Sequence, residues 1–181
     1  MSADTPTTAA RVLVGIDPGT TTGLASVDVD TGAVLGVSSA GPLETVRQLE
    51  ALAAEGRLAG AYLEDARALP LYARHGRANR GQRDRIARGV GQVDGLTDLY
   101  VSLLTALSVP FQCVEPSRRK KWSAEVARRL TGYQGRTNEH GRDALRLVYG
   151  RSVPGGLFDL ADTSSGGHGN RSTTRRGAPT R

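Results

Sequence analysis

Arg11-Val12-Leu13-Val14-Gly15-Ile16 is a nearly continuous apolar run that stops at Asp17-Pro18-Gly19. A run without polar alternation cannot leave one face in water, so it predicts a buried central strand covered on both sides. Pro18 and Gly19 then force a turn. Asp17 is left at the strand's exit, the edge of an α/β sheet where ligands bind.

The rest of the chain supplies the layers that such a strand requires. Gly23–Asp28 and Ala33–Ser38 read as two strands joined by an Asp30-Thr31-Gly32 hairpin turn, completing an antiparallel meander. From Pro42 to Glu55, Leu43, Val46, Leu49, Leu52 and Ala53 recur at helical spacing, with Pro42 suited to the first turn and Gly56 to the stop. Ala59–Leu63 is a fourth strand ending at Glu64-Asp65. Arg67–Arg88 predicts an exposed loop that turns into a helix. Val93, Leu96, Leu99, Tyr100, Leu103, Leu104 and Leu107 then mark a core helix that ends near Val109-Pro110.

Phe111–Val114 is a fifth strand, with Cys113 a small core residue in it. Ser117 is read as the cap of a basic helix carrying Trp122, Val126 and Leu130 on one face and ending at Gly132. Asn138 caps a last helix that turns His140, Asp143, Ala144, Leu147 and Val148 to one side. Strands separated by helices pair in parallel, so this order predicts an α/β fold: a mixed five-stranded sheet with helices on both faces.

With 181 residues there is room for one domain with a real core but not for two large lobes. Residues 1–10 read as a flexible N-terminus, 11–150 as the domain and 151–181 as a basic Gly/Ser/Arg-rich tail without apolar period. No apolar run nears the roughly 18 residues of a membrane span. Met1–Ala10 has neither the basic nor the apolar region of a secretory signal, and Cys113, the only cysteine, cannot form an internal disulfide. A cytoplasmic protein is the expectation. The formal charge of +6, with a pI of about 10.1, points to a polyanionic partner, nucleic acid foremost.

Three acids fall where the sheet would place a site: Asp17, Glu64 and Asp143, with His140 three residues before the last on the same helical face. Grouped carboxylates repel and hold protons unless a cation neutralises them, and oxygen-rich ligation favours Mg²⁺ or Mn²⁺ over zinc. Two such ions about 4 Å apart can activate water and stabilise the leaving oxygen of a phosphodiester. Taken singly, each acid has a structural reading: Asp17 as a turn residue, Glu64 as a strand end, Asp143 as a partner of the helix dipole.

The ordered set Val14-Gly15-Ile16-Asp17-Pro18-Gly19, Tyr62-Leu63-Glu64, Gly91-Gln92-Val93-Asp94-Gly95 and His140-Gly141-Arg142-Asp143-Ala144-Leu145 resembles the RuvC Holliday junction resolvases over residues 11–150. The resemblance implies an RNase H-like fold, a homodimer and symmetric, Mg²⁺- or Mn²⁺-dependent nicking of four-way DNA junctions. It makes Asp17, Glu64 and Asp143 metal-binding acids and places His140 where members carry Asp or His, as ligand or as base on the attacking water. Lys120 or Lys121 would be the assisting basic residue, and a partner helicase is compatible with that role.

Seven arginines lie between Arg67 and Arg88 against one acid, Asp84. Arg74, Arg77, Arg80 and Arg83, with Lys120 and Lys121, are therefore read as contacts to the phosphates of branched DNA. Tyr72 could wedge into unstacked bases at a crossover. The long helix from about Gly89 to Leu107 is the expected homodimer contact. Two other readings remain at this stage. One is a noncatalytic RNase H-like DNA-binding module. The other is an actin-like ATPase, whose phosphate hairpin Gly15–Gly23 resembles but whose second lobe the chain lacks.

Overall fold

The computed structural model describes residues 9–68, 80–117 and 121–155. The apolar run forms β1 (Val12–Asp17), paired antiparallel to β2 (Thr22–Asp28), which pairs antiparallel to β3 (Val34–Ala40). At the hairpin between β2 and β3, Asp28 Oδ1 accepts hydrogen bonds from the amides of Asp30 and Thr31, and Gly32 takes a φ of 71°. After α1 (Pro42–Ala54), β4 (Leu58–Glu64) returns parallel to β1, and after α2 (Arg80–Ala106), β5 (Phe111–Val114) lies parallel to β4. The sheet order is β3-β2-β1-β4-β5. Two short helices follow, α3 (Ala124–Thr131) and α4 (Glu139–Val148).

The alternation of β1 sorts the two cores. Val12, Val14 and Ile16 face α1 and α2, packing with Leu49, Leu63, Tyr100 and Leu104. Leu13 faces the other way, with Tyr62, Ala127, Ala144, Leu145 and Val148. This is the α/β architecture that the element order predicts, a mixed five-stranded sheet with helices on both faces. On the α2 side the buried Thr22 and Tyr100 hydroxyls lie 2.8 Å apart and satisfy one another. No helix among the described residues is long and apolar enough to cross a membrane.

On the opposite face α4 lies unusually close to the strands. A Cβ at Gly23 would clash with the carbonyl oxygen of His140, and one at Gly15 with that of Ala144. His140 and Ala144 are one helical turn apart, and Gly15 and Gly23 sit on neighbouring paired strands, so two glycines form the bed on which α4 rests. Gly141 keeps the helix side equally small, since a Cβ there would come within 2.8 Å of the Val37 side chain. Asn138 fixes the start of α4: its side chain accepts from the Gly141 amide at 2.9 Å and reaches Ser39 of β3.

Three local expectations are corrected. Leu99 is not core but 42% exposed, because 100° per residue carries it to the rim of the stripe formed by Leu96, Tyr100, Leu103 and Leu104. Cys113 is exposed, since β5 is the outer strand of the sheet and less covered. Ser117 does not cap the basic helix. Ser123 does, accepting from the Val126 amide at 3.2 Å, so Trp122 precedes α3 instead of riding on it. Trp122 packs edge-on against Tyr149, with ring centroids 6.3 Å apart.

If the glycine bed sets the height of α4, Gly23→Ala should cost about 1–3 kcal/mol by overpacking. Gly41→Ala, where a Cβ meets nothing within 4 Å, should leave stability nearly unchanged. Urea unfolding of the two variants measures the difference.

Candidate active site

The side chains of Asp17 and Glu64 project to the α4 face because their strands say so. Asp17 follows Leu13 and Gly15 at every second residue of β1, and Glu64 follows Gly60 and Tyr62 on β4. The parallel register sets Ile16 beside Leu63, making the two acids the next pair at the carboxyl ends of adjacent strands. α4 then adds His140 and Asp143 from above. All four line one cavity of ≈ 470 Å³, along with Lys121 and Arg146.

His140 Nδ1 lies 3.3 Å from Asp17 Oδ2. This contact follows from the glycine bed, because Gly23 pairs with Asp17 in the register and faces the backbone of His140. Asp143 is only 11% exposed and holds two cations: Lys121 Nζ at 2.8 Å from Oδ2 and Arg146 Nη1 at 3.7 Å from Oδ1. Lys121 also pairs with Glu139. Arg142 sets the lysine's position indirectly, donating from Nε to the Trp122 carbonyl at 2.9 Å and from Nη1 to the Thr137 carbonyl at 3.1 Å. The segment bearing Lys121 is thereby tied to the helix that bears Asp143.

The electrostatics are those of crowded carboxylates. Glu64 is pushed up from its ordinary 4.5 to about 7, first by burial and then by the negative charges of Asp17 and Asp143. Asp17 is raised as well, chiefly by burial, with the His140 hydrogen bond opposing and Asp143 reinforcing the shift. The Lys121 ammonium is held more firmly protonated by its hydrogen bonds to Asp143 and Glu139. No three acidic or histidine groups among the described residues stand together as a ready cation cage. The donor set nonetheless fits a hard divalent cation: three carboxylates border one cavity, and two of them are raised by burial and by the negative charge of a neighbouring carboxylate.

Asp17, Glu64, His140, Asp143 and Lys121 are thus brought together. Arg80 and Arg83 fall in the opening turns of α2, while Arg74, Arg77, Lys120 and Tyr72 lie outside the described residues. The sequence reading missed Arg146 and Arg142. The i, i+3 spacing of Asp143 and Arg146 on a helix was a legible signal for the first; the backbone contacts of Arg142 had none.

No protein-family model matches this chain, and no curated protein matches it. Among solved structures, T. thermophilus RuvC in complex with a Holliday junction substrate aligns with a TM-score of 0.47 and 20% identity, over 77% of this chain and 90% of that chain.

The raised Glu64 has a measurable consequence. Below its ordinary 4.5 the group is protonated in both folded and unfolded chains and costs nothing. Between there and about 7 the unfolded chain ionises while the folded one keeps its proton, so stability falls as pH rises, and above 7 the whole cost persists. In EDTA, Glu64→Gln should therefore be more stable than the parent protein at about pH 8, and the gain should vanish toward about pH 4.5. Denaturant unfolding across that range reads the difference.

Proposed function

We propose that this protein is a structure-selective, metal-dependent endodeoxyribonuclease that cuts branched DNA, four-way junctions foremost, by paired hydrolysis of phosphodiester bonds. The observation that carries the reading is the meeting of Asp17, Glu64, His140 and Asp143 at one cavity. These residues come from three elements far apart in sequence, and they are the set singled out by the RuvC-like motifs. The net charge of +6 supports a polyanionic substrate.

Asp17, Glu64 and Asp143 would hold two Mg²⁺ or Mn²⁺ ions. When bound, such cations lower the pKa of water and neutralise charge on the transferring phosphate. The remaining work falls to this chain's own side chains. With its proton on Nδ1 and donated to Asp17, His140 carries its lone pair on Nε2, ready to take a proton from an attacking water. Its side chain is 48% exposed and so reachable by solvent. Lys121 sits on Asp143 at the cavity wall, where its ammonium can meet a phosphate oxygen or protonate the departing 3′ oxygen. Arg146, only 14% exposed, adds a fixed positive charge on the other oxygen of Asp143.

A four-way junction presents two equivalent strands, so paired cuts need two sites of matched orientation. That requirement makes a C₂ homodimer part of the proposal, with α2 as the contact and Leu99 as an apolar side chain exposed on it.

The test is a labelled synthetic four-way junction beside a matched linear duplex, with Mg²⁺, Mn²⁺ or EDTA. Paired symmetric nicks on the junction alone are expected, absent in EDTA. Asp17→Asn should lose cleavage but keep binding, and His140→Ala should slow it by about 10²–10⁴-fold. Tight junction binding without cleavage in either metal would instead make the protein a noncatalytic binding module.

A further inference from the structure

Beyond the catalytic cavity, on the far side of Glu64 and Asp143, lies a second one of ≈ 620 Å³. It shares Glu64, Ser117, Asp143 and Arg146 with the first, so the two form one trough that the acidic pair divides. Its outer half is of different character. Trp122, Leu147 and Val114 supply apolar wall, while Glu115 and Arg151 supply an acceptor and a set of donors.

These walls are anchored. Trp122 stands edge-on to Tyr149, and its carbonyl is tied to Arg142. Arg151 lies over the Tyr62 ring, 5.4 Å from the centroid, and Tyr62 donates to the neighbouring Ser152 carbonyl at 2.9 Å. Pro154 is buried beyond it, packing against Gly60 on β4. An aromatic side chain, two apolar ones and a few convergent polar groups, within the roughly 300–1,000 Å³ of small-ligand sites, make a pocket for a planar heterocycle. Acidic groups on its floor and rim argue against a phosphate as the main occupant and for a neutral ring with amino groups.

We propose that this outer cavity receives the nucleobase next to the scissile phosphate, unstacked from its neighbours and laid against Trp122. The proposal rests on the nuclease reading above. Continuity of the trough carries it: a strand with one phosphate at Glu64 and Asp143 has its adjoining nucleoside at the mouth of the second cavity. A base held there makes the choice of cleavage position sensitive to base identity, with Glu115 and Arg151 facing its polar edge.

Trp122 is the sole tryptophan of the chain, so its fluorescence reports the pocket without any cleavage. The full-length protein in EDTA is titrated with an intact four-way junction, and with junctions carrying one abasic site at successive positions around the crossover. Intact DNA should quench Trp122. One abasic position, adjacent to the phosphate cut when metal is restored, should abolish the quench and weaken junction affinity by about 5-fold or more, the low end of a base–aromatic stack. Arg151→Ala should reduce the ratio of cleavage rates among the four bases at that same position.

Junction binding and cleavage with quenching indifferent to every abasic position would overturn the pocket and leave the nuclease intact. Quenching by a free deoxynucleoside monophosphate as strong as by the junction would make it a site for small nucleotides and also overturn the proposal. Failure to bind any branched DNA would remove the nuclease reading and this proposal with it.

Discussion

The close seating of α4 on Gly15 and Gly23 is the contact on which the rest of the molecule depends. Backbone meets backbone there, with no side chain between, so the height and register of the helix over the sheet are set by two missing Cβ atoms. Any larger residue would lift α4 and with it His140 and Asp143 over the strand ends. The same closeness buries Ala144, Leu145, Leu147 and Val148 against β1 and β4, and full burial of a Leu or Val side chain contributes roughly 1.5–3 kcal/mol. One short helix thereby contributes both to the core and to half of the acidic site.

That arrangement stores electrostatic cost. Two strand-end carboxylates and one helical carboxylate surround a space partly closed from water, and burial first, then neighbouring negative charge, raises Glu64 and Asp17. Lys121 and Arg146 pair with Asp143, and their positive charges offset only part of the rise at Glu64. A fold gains nothing in stability from such a group of charges, which is why it reads as functional machinery. A bound cation would reverse the sign of the repulsion, turning each acid from a cost into a ligand.

Most of the framework was legible because it rests on local chemistry. The apolar run of β1, the Asp28 turn, Pro42 at the start of α1 and the Asn138 cap each state their structure within a few residues. The candidate set was legible too, since Asp17 and Glu64 sit at strand exits and His140 and Asp143 share a helix face. What the sequence did not disclose depends on tertiary contact. Ser117 precedes the basic run, but the helix starts later, where the Val126 amide meets the Ser123 hydroxyl. The shift moves Trp122 off the helix and onto the wall of a cavity. Leu99 shows the period's limit, for a residue at the rim of an apolar stripe is buried only if a neighbour reaches it. The grip of Arg142 on the Trp122 and Thr137 carbonyls, which seats Lys121, joins segments whose proximity no spacing encodes.

On the proposed reading, the acidic trough beneath α4 holds the divalent cations that cut a branched DNA strand. The most direct measurement is anomalous diffraction from crystals of the protein with a four-way junction carrying a non-hydrolysable linkage, soaked in Mn²⁺. The account predicts manganese peaks bounded by Asp17, Glu64 and Asp143, with the blocked phosphate beside them. A fully occupied junction with no manganese at those carboxylates, and Lys121 still closed on Asp143, would contradict it.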